Sequence, residues 1–226
     1  MIKWTFFLLI ITTNLCLAQS GNNTISGQIL LPDFSPTLLQ RGKSYRSPNV
    51  NRSAEKIRLD GLNVPSRNIY ISLHPKSFQA EVIQKDARIT QREKTFFPNI
   101  VAITAGSTVY LLNEDEHYHN IYSLTPKARF NIGRRPPGNV YAKKITKVGV
   151  VKLGCDIHPE MGAVILSLDT PYFTKIKTDG TYSISGLPDG EYELRVYHPS
   201  FRTHREPVTI ERGKVMNKDI NLKNKV

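Results

Sequence analysis

The chain reads as all-β, arranged as two sandwiches. Three observations predict this. No long apolar run at helical period occurs along its 226 residues. Its 14 Gly and 14 Pro are scattered as turn punctuation. Between these breaks lie short alternations of apolar and polar residues, each of strand length. A hydrophobic share of 39% is low but sufficient for β-rich domains.

The first element is a leader rather than part of the fold. Residues 1–18 carry a basic start at Lys3 and an apolar stretch from Trp4 to Ile11 that is too short to span a bilayer. They end on Cys16-Leu17-Ala18, with small residues where a signal peptidase reads. The expected cut follows Ala18 and predicts a periplasmic or secreted protein. Lipidation of Cys16 is the weaker reading, because Asn14-Leu15 suit it poorly. No later segment is apolar for long enough to form a membrane helix.

Thr24 to Leu30 alternates as a strand, and Gly27 within it suggests a bulge. Residues 32–67 change texture. Between Arg41 and Arg67 seven basic residues face only Glu55 and Asp60, which predicts an exposed basic loop. Asn68 to Leu73 reads as the next strand. A second β-domain is expected over 80–169. Val82-Ile83 open it, Ile100 to Thr104 and Thr108 to Asn113 form strands around the turn Ala105-Gly106-Ser107, and a looser stretch runs to Gly138. Val148 to Leu153 then leads into a short loop that Ala163 to Leu168 leaves. After Thr170-Pro171 the turns at Asp179-Gly180 and Pro188-Asp189-Gly190 punctuate a closing meander with strands at 193–197, 208–210 and 219–222.

The formal charge is +12, or +11 once Lys3 leaves. A basic surface suits an acidic redox partner, an anionic envelope or nucleic acid. Export argues against nucleic acid.

The chemistry concentrates in Gly154-Cys155-Asp156-Ile157-His158-Pro159-Glu160-Met161-Gly162. Loss of the leader removes Cys16 and leaves Cys155 as the single cysteine. A lone thiol in an exported chain makes no internal disulfide, and metal ligation explains it. Upstream, the polar run Asn113 to Asn120 offers His117 and His119. A thiolate, two imidazoles and a thioether are the ligand list of a blue-copper electron-transfer site. Ligands on a tight loop between paired strands, locked by one distant imidazole, give the small reorganisation that electron transfer needs. His119 is the expected distant imidazole and His117 its rival. Glu114, Asp115 and Glu116 read as a solvated acidic loop.

The order of these motifs resembles the cupredoxins, and within them amicyanin and plastocyanin. The matching residues are Phe97-Pro98, Ala105-Gly106-Ser107-Thr108-Val109, Asn113, His119-Asn120, Gly149 and Cys155-x-x-His158-x-x-Met161. The resemblance implies a Greek-key sandwich and one type 1 copper per chain. It makes His119, Cys155 and His158 the equatorial ligands and Met161 the axial one. It also gives Asn120 the role of tying the two ligand loops together. His158, flanked by Pro159, becomes the electron exit. Glu160 departs from the family by placing a carboxylate at that docking edge, to which Arg134-Arg135 add positive charge if they lie at the same end.

A second resemblance covers the chain ends. Asp179-Gly180-Thr181-Tyr182 and Leu187-Pro188-Asp189-Gly190-Glu191-Tyr192-Glu193-Leu194 look like the carboxypeptidase-regulatory, transthyretin-like β-sandwich. Ser26-Gly27-Gln28-Ile29 and Ile69 to Leu73 fit its earlier strands. The cupredoxin segment is then inserted into this sandwich, whose halves are 22–74 and 172–226. His74, His198 and His204 read as structural or surface residues.

The expected function is electron carriage between redox partners, with no catalysis. Copper storage, delivery or sensing, or a structural envelope role, are the alternatives. Six His in all cannot furnish the further sites of a multicopper oxidase. No nucleophile–base pair marks a hydrolase.

Overall fold

The computed structural model describes residues 21–30, 68–198, 202–211 and 213–222. The expected leader and basic loop lie outside these residues. Among the described residues there are seventeen strands and no α-helix.

Strands from both ends of the chain share one core. β1 (Asn23–Leu30) runs antiparallel to β13 (Thr181–Leu187), pairing Ile25 with Ile184. On its other side β1 runs parallel to β16 (Val215–Asn217) and β17 (Ile220–Asn221). The facing sheet has the order β12 (Phe173–Lys175), β2 (Tyr70–Pro75), β14 (Gly190–Tyr197), β15 (His204–Ile210). Alternation along β14 buries Tyr192, Leu194 and Val196 against Ile25, Ile71 and Leu73. The Tyr192 hydroxyl does not stay unpaired there. It donates to the Pro188 carbonyl at 2.8 Å and so braces its own turn.

The intervening strands build a second sandwich. One sheet has the order β5 (Ile100–Thr104), β11 (Gly162–Leu168), β10 (Gly149–Gly154), β7 (Tyr122–Ser123), β8 (Phe130–Asn131). The other has β4 (Thr95–Phe97), β3 (Ala87–Arg92), β6 (Thr108–Asn113), β9 (Val140–Lys144). β5 with β11 and β3 with β6 are parallel, so their connections cross between sheets instead of turning back as hairpins. Ile89, Phe96, Ile103, Leu111, Val151 and Ile165 fill the core.

Two local expectations are corrected, and His74 proves to be structural. Val82 and Ile83 form no strand. Ile83 is 69% exposed, and its carbonyl accepts from the Thr104 hydroxyl, so the segment is held as a strap while β3 supplies the first strand. Gly27 marks no bulge, since the register of β1 shifts at Asn23/Thr24. The Lys218 carbonyl passes so close to Gly27 that a Cβ would stand 2.1 Å from its oxygen. His74 is buried at 4% exposure. It bridges Ser72 Oγ at 3.0 Å and Asp169 Oδ1 at 2.6 Å, tying β2 to the end of β11. This Ser–His–Asp chain resembles a hydrolytic triad only in its atoms. Ser72 is itself 4% exposed, so substrate cannot reach its hydroxyl.

Candidate metal centre

Residues 155–161 form the loop of the β10–β11 hairpin, closed by the pairing of Gly154 with Gly162. The loop is held tight from within, since the Met161 amide donates to the His158 carbonyl at 3.0 Å. Gly154 is required on the approach. The Tyr122 ring lies against it, and a Cβ there would be 2.9 Å from Tyr122 Cζ. Cys155 thus enters the core at 2% exposure, Met161 sits at 3%, and His158 is half-buried.

The second loop follows β6, and Asn113 organises it. This side chain is buried at 1% exposure, with all its polar atoms engaged. Its Nδ2 donates to the carbonyls of His117, at 2.8 Å, and Arg135, at 3.1 Å. Its Oδ1 accepts from the Asp115 amide at 3.0 Å. His119 and Arg135 then exchange two backbone hydrogen bonds. The loop delivers His119 to the core at 0% exposure while His117 remains exposed.

The two loops bring three donors together. His119 Nδ1 lies 3.1 Å from His158 Nδ1 and 3.8 Å from Cys155 Sγ. The ligand atoms of His119, Cys155 and His158 all fall within 4.8 Å of one another. Met161 is in the same hydrophobic cluster as Cys155. Of the two rival imidazoles, it is His119 that joins Cys155 and His158.

Asp115 is the residue that sequence reasoning missed. It belongs to no solvated acidic loop: its side chain keeps only 10% of its surface. Oδ2 lies 3.0 Å from His119 Nε2 and also accepts from the Lys94 amide at 2.7 Å. Oδ1 accepts from the Glu116 amide. The Lys94 amide, then His119 and Glu116, outweigh the cost of burial and hold the carboxyl down to about 2. An ionised carboxylate at Nε2 draws the ring proton there. With the proton on that nitrogen, Nδ1, which faces Cys155 and His158, keeps its lone pair free for a metal. The signal available in the sequence was an acid four residues before a candidate ligand.

Asn120 is buried at 1% exposure, but its Oδ1 has no hydrogen-bond partner. The cross-loop tie expected of it is absent among the described hydrogen bonds, and the backbone exchange between His119 and Arg135 fixes the loop instead. Arg135 lies at the same end as the site, since its backbone pairs with that of His119. Its guanidinium lies 5.8 Å from the Tyr141 ring centre. Pro159 and Glu160 are exposed on the Cys loop, as expected.

Fold and site together define an all-β protein that presents a buried thiol and two converging imidazoles, a donor set that fits a soft transition metal. A model of the carboxypeptidase regulatory-like domain matches residues 158–223. Its match begins inside the Cys loop and runs through the strands of the end-to-end sandwich. Among curated proteins none matches the chain significantly. Among solved structures, the chain is similar to a purple cupredoxin from Nitrosopumilus maritimus. That likeness has 24% identity and a TM-score of 0.33, covering 36% of this chain and 99% of the other. It is similar to amicyanin from Paracoccus versutus at 20% identity and TM-score 0.34, over 42% of this chain and 97% of that one. It is also similar to a copper-containing nitrite reductase from Thermus scotoductus at 23% identity and TM-score 0.34, over 41% of this chain and 24% of that one.

Proposed function

We propose that the chain is an exported type 1 copper protein that carries single electrons between redox partners and catalyses no reaction itself. His119, Cys155 and His158 would hold the copper, with the Met161 thioether as a weaker fourth donor. The observation that supports this best is the convergence of one thiol and two imidazole nitrogens within 4.8 Å, on two loops that separate strands position.

Copper bound there supplies a one-electron couple stabilised by soft and imidazole donors. The chain's own residues do the rest. Asp115 holds His119 in the ligating tautomer. The β10–β11 hairpin keeps Cys155, His158 and Met161 on one rigid loop, which limits reorganisation when the electron moves. Burial of Cys155 and His119 excludes water. Half-buried His158, between exposed His117 and Pro159, is the edge at which a partner receives or delivers the electron.

The domain reading goes with this. The copper-binding sandwich, 80–169, is inserted between the two halves, 22–74 and 172–226, of a transthyretin-like support. Export through a leader cut near Ala18 places the protein in the periplasm or outside the cell, where its basic surface favours an acidic redox partner.

Titration of the metal-free protein with Cu(II), followed by visible and EPR spectra, tests the proposal. The expected result is an intense thiolate-to-copper band complete at one equivalent, with narrow copper hyperfine splitting and reversible one-electron cycling. Cys155→Ser is expected to abolish the band. A colourless wild type, or a band that survives Cys155→Ser, refutes the assignment. Cu(I) binding without a stable Cu(II) state favours delivery over electron carriage.

A further inference from the structure

We propose that His117 and His158 form an outer copper-capture site through which the ion enters the buried donors; this rests on the copper reading above. The donors are graded by depth. His119 is 0% and Cys155 2% exposed, His158 is half-buried, and His117 is exposed. The three imidazoles form a continuous series. Ring centres of His119 and His158 lie 4.7 Å apart, and those of His158 and His117 lie 6.4 Å apart. His158 is common to both pairs.

The outer spacing suits a shared ion. An imidazole nitrogen sits about 2 Å from a bound metal and roughly 1 Å from its ring centre, so two rings on one ion stand up to about 6 Å apart. A small side-chain rotation closes the remaining gap from 6.4 Å. The backbone of His117 is anchored beside the site, because its carbonyl accepts from buried Asn113 Nδ2 at 2.8 Å. Its chain neighbour Glu116 and nearby Glu114 are exposed carboxylates that attract a cation to the same loop.

The chemistry requires such a stage. A hydrated ion is too large to pass between closely packed His119, Cys155 and His158, so it must exchange waters for ligands stepwise. Two imidazoles hold it at the mouth. His119 and Cys155, its thiol proton passing to a departing water, would then replace the remaining waters, and His117 would return to solvent at little cost because it was never buried.

The test is rapid mixing of metal-free wild type and of His117→Ala with limiting Cu(II), following growth of the thiolate-to-copper band. Losing one of two chelating rings is expected to slow growth by roughly tenfold, with the same final intensity. His117→Gln, which keeps the bulk, is expected to behave like His117→Ala. Equal rates in wild type and both variants overturn the proposal. A lower final intensity in the variants makes His117 a ligand of the buried site and overturns it too. If the wild type itself develops no band, the copper assignment fails, and this inference with it.

Discussion

Asp115→Asn keeps the size of the side chain and removes its charge. In the wild type the carboxyl is held down to about 2 from an ordinary 3.8. Its folded-state value is depressed, so its stabilising contribution is present above about 3.8 and is lost as pH falls toward 2. Each pH unit of depression is worth about 1.4 kcal/mol. The side chain keeps a tenth of its surface, and solvent at the loop rim screens part of the interaction. We therefore expect Asp115→Asn to destabilise the metal-free protein by about 1–2 kcal/mol at pH 7. Urea unfolding at pH 7 and again near pH 2 measures this, and the gap between wild type and variant should close at the lower pH. A second readout is copper affinity, expected to fall by about 10–100-fold because the ring loses the partner that fixes its tautomer. Equal urea midpoints at pH 7 together with unchanged copper affinity would refute the reasoning, since Asp115 would then hold neither the loop nor the ring.

Gly27→Ala drives a methyl onto the Lys218 backbone and is expected to cost about 2–4 kcal/mol, read as a lower thermal midpoint, because neither strand can give way cheaply. Met161→Leu is expected to keep the copper colour and raise the reduction potential, measured by voltammetry, since the weak axial donor is lost while the pocket stays filled. Burial holds His198 down to about 4 from 6.5. Its neutral form is favoured by the fold, so stability is complete above about 6.5 and declines as pH falls toward 4. His198→Gln should flatten that decline in a pH series of unfolding midpoints.

What was legible in the sequence was local. Cys155, His158 and Met161 are legible because a hairpin loop fixes their spacing and their atoms are chemically rare. The strands Thr108 to Asn113 and Ala163 to Leu168 are legible because one face is continuously apolar. Asp115 was not, because a carboxylate in an acidic run looks solvated until a loop turn folds it onto His119. That turn is made by Asn113, whose three hydrogen bonds no composition reveals. Val140–Lys144 escaped notice as a strand because it lies at a sheet edge, and its alternation of exposed and half-exposed residues carries little apolar signal. His74 could be read only as structural or surface, because the partner that decides between them, Asp169, lies ninety-five residues on. The bulge expected at Gly27 failed for the same reason: the carbonyl that demands a glycine belongs to Lys218, at the far end of the chain.

The pairing of Ile25 with Ile184 has a consequence for the order of assembly. The hairpin that carries Cys155 joins neighbouring segments and closes quickly, whereas β1 must wait for a partner that leaves the ribosome, or crosses a membrane, after the whole inner sandwich. During that interval β1 and β2 are unpaired strands with apolar faces, the state most open to wrong association. The inner sandwich is therefore expected to form first, and its completion brings Asp169 and Thr170 beside β2, ready to guide the last strands home.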